Sequence, residues 1–134
     1  METENDFEVI SSYTRAQAID DGVLVDLMQA KTIEAVRDVG IRFNTAMTAA
    51  AFSQTVAPID GGKLPAGQDL QGRLWDVLWM LKNAIRNSGD TDIIHFKVIV
   101  AQMNNTRKLI KLKAVCGPGD NAEPVITIML PDED

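Results

Sequence analysis

One cysteine, one histidine and one tyrosine are all that the 134 residues contain of those three types. A lone cysteine excludes a disulfide within the chain, and Cys116 with His95 cannot supply the several nitrogen and sulfur ligands of a zinc or iron–sulfur centre. Cys116 ends an apolar, strand-like run and reads as an inert buried thiol. Long hydrophobic runs are also missing, since nothing approaches the ~18 residues of a membrane span. The opening Met-Glu-Thr-Glu-Asn-Asp-Phe-Glu is acidic where a signal peptide is basic, so the expected location is the cytoplasm. A Ser-His-Asp arrangement would have to recruit His95, whose strand position is equally that of a half-buried sheet residue. Gly61-Gly62-Lys63 lacks the spacing of a phosphate-binding loop. No catalytic residue, metal or cofactor is therefore assigned.

What is present fits one soluble domain over residues 1–134. At 46% hydrophobic and 24% charged, a chain of this length buries a sizeable core. Its charge is unevenly placed. Nine of the nineteen acids lie in residues 1–8 and 120–134, which leaves ten against all thirteen Lys and Arg in between, a net of +3 inside a protein of −6. From Ile93 to Gly119 there is no acid at all, while Lys97, Arg107, Lys108, Lys111 and Lys113 make that segment +5. Such a ribbon suits phosphate or an acidic partner. It equally suits a solvated strand face whose lysines discourage edge pairing, neutralised by the acidic ends folding against it. The overall negative charge and the lack of interleaved aromatics disfavour nonspecific binding to duplex DNA.

Periodicity gives an order of elements. After a short apolar anchor at Val9-Ile10, Ser12 or Thr14 caps a brief helix that Gly22 stops, and Gly22–Leu27 is a buried strand or extended connector. Residues 29–39 return to helical spacing with Ile33, Val36 and Val39 on one face, ended by Gly40. Asn44 or Thr45 then caps a small-residue helix over 45–56, which must end before Pro58. Residues 58–69 form the clearest loop. The strongest helix runs from about Leu70 to Asn87; Leu74, Leu78, Leu81 and Ile85 share a stripe, Trp75 and Trp79 join the core, and Arg73, Asp76, Lys82 and Arg86 face outward. From Ile93 the period becomes two, with a turn at Asn104-Asn105-Thr106, a second strand over 109–116, a turn at 117–121 and a third strand over 124–130. The expected fold is α+β, with N-terminal helices packed on a C-terminal three-stranded antiparallel β-meander.

Polar residues crowd one short segment. Tyr13, Arg15, Gln17, Asp20, Asp21 and Asp26 stand between apolar runs, and Tyr13, Arg15 and Asp26 would be the cleft residues of a small enzyme acting on a nucleotide or a host protein. The same residues suit local capping and one buried polar network.

Three blocks resemble, in order, a family of small proteins encoded on bacterial phages and plasmids: Ser12-Tyr13-Thr14-Arg15-Ala16-Gln17-Ala18-Ile19-Asp20-Asp21-Gly22-Val23-Leu24-Val25-Asp26-Leu27, then Gly72-Arg73-Leu74-Trp75-Asp76-Val77-Leu78-Trp79, then Val125-Ile126-Thr127-Ile128-Met129-Leu130-Pro131. The resemblance implies a mobile-element product and carries no activity or catalytic residue. It suggests a non-enzymatic inhibitor of a host nucleoprotein defence complex, a CRISPR effector or restriction enzyme, acting by protein–protein contact and in part by competing for RNA. Acids at the ends and a basic middle argue against mimicry of DNA. The basic strand pair is the first candidate surface and the acidic tail the second. A further alternative is a self-assembling plasmid maintenance factor that uses the Ala-rich helix over 45–56 as its interface.

Overall fold

The computed structural model describes residues 13–134. The acidic start, the Val9-Ile10 anchor and Ser12 lie outside the described residues. The elements are helix α1 (Arg15–Asp20), strand β1 (Leu24–Asp26), helix α2 (Ile33–Val39), strand β2 (Asn44–Thr48), helix α3 (Ala49–Thr55), helix α4 (Leu70–Ser88), and strands β3 (Ile93–Ala101), β4 (Arg107–Pro118) and β5 (Pro124–Met129). No helix among them is long and apolar enough to cross a membrane.

The sheet overturns the expected meander. Five strands stand in the order β1-β2-β5-β4-β3, and the sheet is mixed because β2 runs parallel to β5 while every other pair is antiparallel. The helices are spread along the chain instead of gathered at its start. The C-terminal meander exists, but β1 and β2 extend it beyond β5. The expected helix over 45–56 divides at Thr48: Asn44–Thr48 is strand, and Thr48 caps a seven-residue helix by accepting from the Ala51 amide at 3.2 Å. Alanines at 46 and 49–51 suggested one continuous helix. Pairing on both edges of β2 overrides that local preference, and burial of Thr45, Ala46, Met47 and Thr48 alike erases the alternation that marks a half-wet strand. The proposed assembly helix thus lacks its first third, and Ala51 and Phe52 of the remainder are in the core.

One sheet face is dry. Cross-strand register lines up Ile94, Ala114, Ile128, Met47 and Val25 across all five strands, with Phe96 and Leu112 in the next row. Helix α4 lies along β3 and against α2, burying Leu74, Val77, Leu78 and Leu81 over these rows. Here α4 corrects the sequence reading. Trp75 and Trp79 stay about two-fifths exposed and stack on each other, ring centroids 5.1 Å apart and 11° from parallel. Arg73 turns inward instead: its Nε donates to the Val56 carbonyl at 2.7 Å and its Nη1 to the Ala101 carbonyl at 3.1 Å. It thereby ties the start of α4 to the end of α3 and the end of β3. Burial lowers the Arg73 pKa from its ordinary value, with Asp76 acting in the opposite direction.

Candidate functional site

Among the described residues, the second face of the sheet divides into a covered and an open half. Helix α1 is held over the β1 end by a network that starts at its own cap. Thr14 Oγ1 accepts from the Gln17 amide at 3.0 Å and Gln17 Oε1 from the Thr14 amide at 2.9 Å, a reciprocal capping box. The Asp120 carboxylate, more than a hundred residues on, accepts from the Arg15 amide at 2.8 Å and the Ala16 amide at 3.0 Å. The Arg15 guanidinium then donates to Thr127 Oγ1 at 2.6 Å and to the Ile126 carbonyl at 3.0 Å. Half-burial lowers its pKa, and the negative charges of Asp26, Asp120 and Glu123 oppose that shift.

Read one by one, the other polar candidates take separate local parts. The Tyr13 hydroxyl donates to Asp21 Oδ2 at 2.9 Å on the surface, and that bond raises the phenol pKa. Asp26 Oδ1 accepts from the Met28 amide at 3.0 Å and closes a turn. Asp20 is exposed. Tyr13, Arg15 and Asp26 line none of the clefts described below, and no three His, Cys, Asp or Glu side chains converge on a metal-sized space among the described residues. The segment builds the attachment of α1. Sequence reading missed its key partner, because Asp120 sits in a Gly-Pro-Gly-Asp-Asn turn whose local chemistry already explains an aspartate. Replacing Asp120 with alanine is expected to cost about 1 kcal/mol, the usual value of an end cap. Faster hydrogen exchange at the Arg15 and Ala16 amides would report it, with core amides of β4 and β5 slowed as before.

The open half belongs to β3 and β4. Their register sets Ile93 opposite Val115, His95 opposite Lys113, Lys97 opposite Lys111, Ile99 opposite Leu109 and Ala101 opposite Arg107, all on the side away from α4. Lys97, Arg107, Lys111 and Lys113 therefore share one face. Lys108 does not: it pairs with Val100 on the helix side, beside Lys63 and Arg73 at a cleft of about 360 Å³. Ile99 and Leu109 lie between the Lys97–Lys111 pair and Arg107, and Ile93 lies at the end of the face beyond Lys113, each about half exposed or more. His95 is exposed among them instead of half-buried, and Cys116 is only partly buried on the other face. Of the acidic C-terminal residues, Asp120 is committed to α1, and Glu133 Oε1 accepts from Thr48 Oγ1 at 2.7 Å and the Leu130 amide at 2.8 Å.

A family model matches residues 3–134. The chain belongs to DUF6573, a family of unknown function. No curated protein and no solved structure matches it. Its chemistry must therefore be read from the face itself, where directly opposed lysines are costly. Like charges facing each other across two strands destabilise a sheet by roughly 0.2–1 kcal/mol. Lys97→Glu converts the Lys97–Lys111 pair into an attractive one and should raise the melting temperature by about 1–4 °C. Thermal unfolding at low salt checks this, and the gain should shrink as salt screens the pair.

Proposed function

We propose that the protein is a non-enzymatic binding protein that docks on an acidic, partly apolar protein surface through the open β3–β4 face. The observation that carries the proposal is the placement of Lys97, Arg107, Lys111 and Lys113 beside exposed Ile93, Ile99 and Leu109 on a sheet face that no helix among the described residues covers. Aliphatic side chains interleaved with cations along the strand pair suit a protein contact, in which the apolar part supplies affinity and the charges supply orientation and partner choice.

The partner class proposed is a subunit of a host nucleoprotein defence complex, a CRISPR effector or a restriction enzyme, inhibited by a mobile-element product. The likeness of Ser12–Leu27 to proteins of phages and plasmids supports that setting, and a basic face that occupies an acidic subunit surface can displace RNA indirectly. The test is affinity capture from lysate of a bacterium carrying both systems, with and without nuclease, using the wild-type chain and a variant with Lys97, Arg107, Lys111 and Lys113 all changed to Glu. The expected result is a defence-complex subunit recovered by the wild type, resistant to nuclease and absent with the variant. Equal recovery by the variant, loss on nuclease treatment, or no defence subunit from that lysate would each overturn the proposal.

A further inference from the structure

On the opposite side of the sheet, between the C-terminal half of α4 and the α2–β2 connection, lies a cleft of about 390 Å³. Two cross-strand neighbours of the dry face make its floor, Ile94 with Ala114 and Cys116 with Ile126. Ile41, Phe43 and Ile85 supply its walls. The cleft exists because α2 stops abruptly. Gly40, at φ +94° in the left-handed region, receives the helix end and turns the chain away, and its bare Cα lets Lys82 approach so closely that a Cβ there would stand 2.9 Å from Nζ.

The charge at this cleft is one-sided. Among the described residues Arg42, Lys82 and Arg86 line it and no aspartate or glutamate does, in a chain whose formal charge is −6. An apolar interior of this size with a few convergent polar groups is the usual form of a small-molecule site. Three cations at the mouth of an apolar floor select an amphipathic anion and leave a neutral apolar molecule without a partner for them. We infer that this cleft binds an aliphatic carboxylate of the medium-chain fatty-acid class, its chain against Ile94, Ala114, Cys116 and Ile126 and its carboxylate among Arg42, Lys82 and Arg86. The site lies across the sheet from the docking face, so it stands or falls independently of the proposed partner.

Titration of the whole chain with decanoate, followed by amide NMR, tests the inference. Saturable shifts are expected at Gly40–Phe43, Ile85–Gly89 and Ala114–Cys116, whereas acetate, which lacks the chain, should give none. Decanol, which lacks the charge, should bind at least about tenfold more weakly, since it forgoes the charge-assisted hydrogen bonds to the three cations. Lys82→Gln combined with Arg86→Gln should weaken decanoate by a similar factor and leave decanol unchanged. In the wild type, decanoate should also slow modification of Cys116, which is the only thiol and therefore a clean reporter. No saturable shift up to millimolar decanoate, shifts centred elsewhere, or equal affinity for decanol would each overturn the inference.

Discussion

Arg73→Ala is expected to destabilise the protein by about 2–4 kcal/mol, because it leaves the Val56 and Ala101 carbonyls without their donor, at about 1–3 kcal/mol for each acceptor left unsatisfied. That is a large share of the 5–15 kcal/mol typical of a domain. Arg73→Lys should recover about half of the loss, since one ammonium cannot reproduce the fork that reaches α3 and β3 together. Trp75→Ala, in contrast, should cost only about 1 kcal/mol, the contribution of a stacked and half-exposed ring. Urea unfolding of the three variants decides the matter. A tryptophan that filled the core would cost about 3–5 kcal/mol on truncation, and an outward arginine under about 0.5 kcal/mol. The reverse order would therefore contradict the orientation of α4.

Helix α4 shows how far sequence pattern reaches. Its extent follows from the repeating leucines, and Leu70–Ser88 agrees with the range expected to within a residue. Its rotation does not follow. Leu74, Leu78 and Leu81 beside Trp75 and Trp79 make an apolar arc wider than one contact can cover, and only the neighbours α2 and β3 decide which stripe goes under. Arg73 stands at the edge of that arc, where a long side chain is directed either way by the carbonyls within its reach.

Strands were legible where one side is wet. In β3 and β4 the alternation of buried Ile94, Phe96 and Val98 with exposed His95, Lys97 and Ile99 carries straight over from sequence to structure. The same parity places Lys97, Lys111 and Lys113 together, so the candidate face was readable in outline. Lys108 is their neighbour along the chain, but the two-residue period of a strand puts it on the other side. Strand β2 was not legible, because a strand with neighbours on both edges and four consecutive buried residues shows no alternation of wet and dry positions to reveal its period. Nor was the Arg15–Asp120 attachment, which joins two segments whose local signals are already accounted for by a helix start and a turn.

The face itself carries the second large effect. Reversing charges that a partner's acids oppose replaces attraction by like-charge contact, which costs several kcal/mol. Lys97→Glu combined with Lys111→Glu should therefore weaken partner binding more than about 100-fold, which is roughly 2.7 kcal/mol. Because Lys97 and Lys111 face each other, the double variant exchanges one like-charge pair for another, and its stability should stay near that of the wild type. A loss of binding in it cannot be put down to unfolding.

A matched control exists on the far side of the sheet. Lys63→Glu combined with Lys108→Glu makes the same change in net charge beside the cleft shared with Arg73. The decisive measurement is the affinity of the captured partner subunit for these two double variants at one salt concentration. Loss confined to the Lys97/Lys111 variant, with the Lys63/Lys108 variant within about threefold of wild type, is the expected result for a contact made by the open β3–β4 face. Equal losses in both would mean that net charge alone governs the interaction and would contradict that face as the contact.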